Sequence, residues 1–286
     1  MKINMKNIFY TFLILTFFAS CNTNSYYENG RSIAICSSIE KQQAALVSFS
    51  KDSEFDKYHP EPAIIAPAQM GKMISFSTKG KDGNGYLVKA NSEKYLLMIH
   101  EWWGLNEQIK KEAEKYSEDM GLNVLAIDMY DGKVANESSM ARKYTQELSA
   151  ERAAEILQGA IDYTGDNQGL ATIGWCFGGA MSLQAALIAG PKAEACVIYY
   201  GMPVMDKERL SDLEAPILGI FAENDGHITP EVVNKFENVL EDLNKSFVIK
   251  SYDAEHAFAN PTSSRYNQEA AADAYELTKN FLHKHL

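Results

Sequence analysis

The sequence has little positive charge to spare. Its 286 residues carry 27 Lys and Arg against 38 Asp and Glu, for a formal net charge of −11. The basic residues gather into no stripe, which excludes nucleic acid as a general partner, because phosphate binding rests on clustered cations. Membrane-length apolar runs are missing as well: Ile8 to Phe18 is too short for a comfortable span. There are no internal repeats and no low-complexity tracts. No His, Cys, Asp or Glu cluster has metal-ligand spacing, so neither a metal nor another cofactor is expected. Cysteine is scarce, with four in the chain. What remains, 46% hydrophobic and 23% charged residues, is ordinary globular composition, long enough for one large domain or two small ones.

The first 21 residues read as a targeting segment. Lys2 and Lys6 precede the apolar run, and Phe18-Ala19-Ser20-Cys21 closes it. Small residues leading into a cysteine resemble the lipobox of bacterial lipoproteins, with Phe18 where an aliphatic residue is usual. The expectation is a signal peptide over 1–21, lipid on Cys21, and export to a bacterial membrane, on its periplasmic side or at the cell surface. Lipidation would leave Cys36, Cys176 and Cys196. An odd number of cysteines in an oxidising compartment leaves at least one free thiol. Cys196, in an apolar run, reads as a buried strand residue, and a Cys36–Cys196 disulfide has no specific support. Residues 22–68 are polar, and His59-Pro60-Glu61-Pro62 with Pro67 forbids regular structure late in the segment. They are expected to form a tether and then an irregular strap, with a short helix over Lys41 to Ser48 conceivable.

Over 69–286 strand and helix signals alternate regularly. A hairpin turns at Asp82-Gly83-Asn84-Gly85, and apolar strands follow at Tyr95 to Ile99, Val124 to Ile127, Leu170 to Ile173, Cys196 to Tyr200, Ile217 to Ala222 and Phe247 to Ser251. Helical segments lie between them, the last over Gln268 to His283. This alternation predicts a mostly parallel sheet with helices on both faces, and active sites in such folds lie at the carboxyl ends of the strands.

The chain is organised around Gly174-Trp175-Cys176-Phe177-Gly178-Gly179. An apolar strand precedes it and a small-residue helix follows, which is the pattern of a nucleophile elbow with cysteine in place of serine. The glycines leave room for a strained turn, and the helix start favours thiolate and a neighbouring oxyanion. A nucleophilic cysteine needs a base, and the base needs an orienting acid. His227, His256, His283 and His285 are the candidate bases, and Asp206, Asp212, Asp225 and Asp253 the candidate acids. The order nucleophile, acid, His, each on a loop after a late strand, selects Asp225 and His256. Glu101, Trp102 and Trp103 follow an earlier strand, where the amide of Trp102 would join that of Phe177 in an oxyanion hole.

His100-Glu101-Trp102-Trp103-Gly104-Leu105-Asn106, Gly174-Trp175-Cys176-Phe177-Gly178-Gly179, Asp225 and His256-Ala257-Phe258-Ala259 resemble the motifs of the dienelactone hydrolase family, in family order. The resemblance implies an α/β-hydrolase domain with a Cys176–His256–Asp225 triad acting on a small ester or lactone. It also implies a gating role for Glu101, which would hold the resting thiol. The family's substrate-gripping Arg, four residues after the His, is replaced by Asn260; Arg142 resembles a second family Arg only loosely. Trp103, Arg142 and Asn260 are thus the candidate substrate contacts. The expected partners are a small ester or lactone and, through Cys21, a membrane. Two other readings remain: a non-catalytic surface binding protein on a hydrolase scaffold, and a thiol redox sensor with Cys196 as resolving thiol.

Overall fold

A computed structural model describes residues 31–51, 55–166 and 169–286. Its centre is an eight-stranded sheet built from β1 (Lys72–Phe76), β2 (Gly83–Val88), β3 (Tyr95–Ile99), β4 (Asn123–Asp128), β5 (Leu170–Trp175), β6 (Ala193–Tyr199), β7 (Ile217–Ala222) and β8 (Phe247–Tyr252). The spatial order is β1-β2-β4-β3-β5-β6-β7-β8. β2 pairs antiparallel with β1 and with β4, and every other pairing is parallel. The sequence explains the layering. β3, β5 and β7 are continuous apolar or small-residue runs, as is β4 between its terminal Asn123 and Asp128, and all four are buried at every position, as strands covered on both faces must be. β8, at the edge, instead alternates half-buried and exposed side chains until its last residue.

Nine helices, among the described residues, accompany the sheet: α1 (Arg31–Phe49), α2 (Phe55–Tyr58), α3 (Glu107–Met120), α4 (Ser138–Glu147), α5 (Ala150–Tyr163), α6 (Phe177–Ala189), α7 (Lys207–Ser211), α8 (Pro230–Asp242) and α9 (Gln268–His285). Their ends follow local chemistry. Asn106, Ser149 and Asn267 cap α3, α5 and α9 by accepting from the amides of Ile109, Arg152 and Ala270. Pro230 opens α8, where its missing N–H costs nothing. No described helix is long and apolar enough to cross a membrane. The signal segment and Cys21 lie outside the described residues.

Two expectations are corrected. Residues 31–49 are a full helix rather than an irregular tether. Ile35, Ile39, Leu46 and Phe49 recur at helical spacing and pack on the domain, but interleaved Ser, Gln and Lys dilute the signal. The hairpin turn is tighter than predicted, because Gly83 to Gly85 belong to β2. Gly83 lies under the Phe76 ring, leaving no room there for a side chain. Cys196 is, as expected, a buried strand residue, on β6, and its thiol is free.

Candidate active site

β5 delivers Cys176 into the elbow. Its backbone stands at φ 54°, ψ −117°, a left-handed conformation that strains a residue with a side chain. The turn is possible because Gly174 and Gly178 flank it. A Cβ on Gly174 would overlap the Gly178 carbonyl, and one on Gly178 would overlap that of Ile99. Phe177 is the first residue of α6, so its amide lacks an intrahelical acceptor. Neither it nor the Trp102 amide donates to another described residue. Two free donors beside a thiol are what an oxyanion requires.

The loop after β7 carries Asp225 and the loop after β8 carries His256. His256 Nδ1 donates to Asp225 Oδ2 at 2.6 Å. Asp225 Oδ1 also accepts from the amides of His227 (2.8 Å) and Ile228 (2.9 Å). Burial alone would raise the Asp225 carboxyl, but the His256 charge and these donors outweigh it and hold it at about 2. Burial likewise works against a charged His256, yet Asp225 and Cys176 raise its pKa well above the ordinary value. His256 Nε2 is buried without a hydrogen-bond partner among the described residues.

After β3 the chain turns through His100, which is fully buried. Its Nδ1 donates to the Glu101 carbonyl at 2.5 Å, and its Nε2 accepts from the Met129 amide at 3.1 Å. Both ring nitrogens are satisfied in the neutral form, and burial keeps the pKa down at about 4. His100 thus fixes the Glu101–Trp102 turn. Glu101 itself is buried, which raises its pKa despite hydrogen bonds from Asn260 Nδ2 (2.6 Å) and Tyr200 Oη (3.3 Å). Its carboxylate shares a cavity with Cys176, Trp103 and Asn260.

The hydrogen bond to the thiol comes from elsewhere. Cys176 Sγ lies 3.5 Å from Nε2 of His59, on the segment expected to be an irregular strap. His59 Nδ1 is 2.9 Å from the Phe55 carbonyl. A carbonyl only accepts, so Nδ1 holds the proton and Nε2 turns a lone pair to the thiol. Burial, then the nearby His256 charge, keep His59 well below its usual pKa, hence neutral. Phe55 stacks on His59 at 3.9 Å between ring centroids and meets Trp102 edge-on at 4.8 Å. Cys176 is only 5% exposed beneath this cover. Sequence reasoning missed His59. It follows no strand and has no periodic neighbours; only its aromatic and proline surroundings mark it.

Cys176, Asp225, His256, Glu101, Trp102, Trp103, Phe177 and Asn260 converge at the carboxyl ends of β3, β5, β7 and β8, where the strand order reverses between β3 and β5. Arg142 does not join them. It lines neither cavity at the thiol and pairs instead with Asp56 of α2 at 2.9 Å. Cys196 hydrogen-bonds Ser182 at 3.8 Å, and burial raises its pKa to about 11, which makes it a poor resolving thiol.

A doubly covered sheet with an elbow cysteine and a hydrogen-bonded His–Asp pair after its late strands defines the α/β-hydrolase class. Residues 84–286 match the dienelactone hydrolase family, and the chain belongs to it. Among curated relatives, the Protein usf of Aquifex pyrophilus is 27% identical, over 76% of this chain and 100% of that protein. Carboxymethylenebutenolidase 1 of Cupriavidus pinatubonensis is 25% identical, over 74% of this chain and 95% of its own length. A crystal structure of dienelactone hydrolase from Anabaena variabilis superposes with a TM-score of 0.58 at 22% identity, covering 76% of this chain and 100% of that one. The protein is a hydrolase of this family.

Proposed function

We propose that this hydrolase cleaves a small, uncharged ester or lactone through Cys176 and an acyl-enzyme. His256 in its neutral form takes the thiol proton as Sγ attacks the carbonyl carbon, and Asp225 orients the ring and stabilises the charge it then carries. The amides of Trp102 and Phe177 receive the developing oxyanion. His256 returns the proton to the leaving alkoxide, and water, activated by the same ring, releases the acid. The observation that carries this reading is the 2.6 Å His256–Asp225 hydrogen bond, with the other ring nitrogen left without a hydrogen-bond partner among the described residues beside an elbow thiol at φ 54°.

The preference for uncharged substrate rests on charge. Among the described residues, no Lys or Arg lines either cavity at Cys176. Asn260, where the family carries its Arg, is committed to Glu101 and Thr262. Substrate also needs the His59 cover to move, since the thiol is buried beneath it. We further propose that Cys21 is lipidated and the enzyme works outside the cytoplasm. An activated ester should label Cys176 in a burst, with no label and no turnover in Cys176→Ala. A neutral ester should react at least as fast as its carboxylate-bearing analogue. A burst retained in Cys176→Ala would overturn the nucleophile, and a tenfold preference for the anion, about 1.4 kcal/mol, would overturn the charge assignment.

A further inference from the structure

Three soft or borderline ligand atoms point at one spot above the elbow. Cys176 Sγ, His59 Nε2 and His256 Nε2 all lie within 4.8 Å of one another, and all three side chains are buried. The ring nitrogens turned away from that spot are both engaged, His59 Nδ1 with the Phe55 carbonyl and His256 Nδ1 with Asp225. A metal-binding histidine needs this arrangement, because the far N–H···O bond fixes the tautomer and leaves Nε2 free to ligate. The Sγ–Nε2 distance to His59 is 3.5 Å. Across a tetrahedral zinc, with Zn–S about 2.3 Å and Zn–N about 2.0 Å, sulfur and nitrogen stand roughly 3.5 Å apart. His256 Nε2, buried and without a hydrogen-bond partner among the described residues, lies within 4.8 Å of the other two ligand atoms and supplies the third direction after closing in by roughly 1–1.5 Å. Cys176 and His59 line both cavities, so the fourth position opens onto space that a water or a small anion can fill.

We infer that His59, Cys176 and His256 form a binding site for a thiophilic divalent cation of the Zn²⁺ class, and that occupancy shuts the enzyme off. On binding, the S–H bond of Cys176 breaks, charged His256 gives up its Nε2 proton, Zn–S and Zn–N bonds form, and both protons leave to solvent. The metal takes the nucleophile and the base together, and ties His59 of the cover to both. The site needs the cover because His59 belongs to it, before the stretch that matches the family at residues 84–286. The loss of activity rests on Cys176 being the nucleophile; the binding itself does not.

Cobalt(II) titration of the metal-free chain tests the binding directly. One equivalent should produce a thiolate-to-cobalt charge-transfer band and tetrahedral ligand-field bands, and Zn²⁺ should displace the cobalt. The charge-transfer band should vanish in Cys176→Ala, and the affinity should fall at least about tenfold in His59→Ala and His59→Gln. Circular dichroism reports whether each variant is folded, and protection of Cys176 from iodoacetamide by Zn²⁺ in wild type provides a second readout that needs no variant. No charge-transfer band, no protection, or metal retained equally by folded Cys176→Ala and His59 variants, as the C-terminal His283 and His285 would retain it, overturns the site. Ester hydrolysis should stop at one equivalent of Zn²⁺ and return with a chelator. Binding without inhibition of a measurable hydrolysis overturns the regulatory half. If the chain hydrolyses no ester at all, the proposed reaction fails while the cobalt spectrum still decides the site.

Discussion

Asp225 shows how one residue's surroundings become a measurable property of the protein. Its carboxyl, ordinarily near 3.8, is held at about 2 by His256 and two amide donors that overcome burial. A carboxyl depressed by folding adds stability that is fully present above its unfolded pKa and is lost as pH falls through its folded one. The window is therefore about pH 4 down to 2. Urea unfolding across that range should show a steep loss of stability in wild type and a shallower slope in Asp225→Asn, which has no carboxyl to protonate. Equal slopes would mean that the pair contributes nothing in acid. Hydrolysis by Asp225→Asn should fall at least about a hundredfold, because the His256 ring loses its orienting anion.

At the scale of elements, the segment before the sheet is a cover built from two helices and an extended piece. α1 docks through buried polar contacts: Gln184 Nε2 donates to Ser38 Oγ and to Gln42 Oε1, each at 2.7 Å, and Gln43 Nε2 donates to the Leu148 carbonyl at 3.0 Å. α2 adds Phe55, whose ring is packed against His59, Trp102 and His227. The Arg142–Asp56 pair is the weaker tie, since Asp56 is 51% exposed and such pairs contribute about 0.2–1 kcal/mol. Removing a buried Phe ring costs about 3–5 kcal/mol. Phe55→Ala should therefore loosen the cover far more than Arg142→Ala does. Iodoacetamide should modify Cys176 several times faster in Phe55→Ala, with little change in Arg142→Ala. Comparable rates in wild type and Phe55→Ala would mean that the thiol is reached by another route.

For the whole molecule, the proposed location has one decisive residue. Cys21→Ala should leave the chain unprocessed or release it from the membrane fraction, and lipid label should be lost with it. Unchanged fractionation and labelling would remove the lipobox reading and, with it, the extracytoplasmic setting proposed for the enzyme. The acidic surface, with a net charge of −11, favours uncharged over anionic substrates at long range, in keeping with the cation-free cavities at the thiol.

Apart from the short α7, the order of strands and helices from Lys72 onward was legible in the sequence because each depends on local pattern. Continuous apolar runs mark strands buried on both faces, and the glycines around Cys176 mark a turn that only small neighbours permit. Asp225 and His256 could be singled out because chain order and strand ends are themselves sequence features. Tertiary packing alone decided what surrounds them. Glu101 turns to Asn260 and Tyr200, Arg142 turns to Asp56, and His59 reaches the thiol across 117 positions of chain. None of these contacts repeats a period, and those of Arg142 and His59 follow no strand. The contacts of His59 and Asp56 arise because the segment before the sheet lowers its energy by burying Phe55 and its apolar neighbours over the mouth of the site. The identity of the side chain that meets Cys176 there is a property of the assembled surface and of no local stretch.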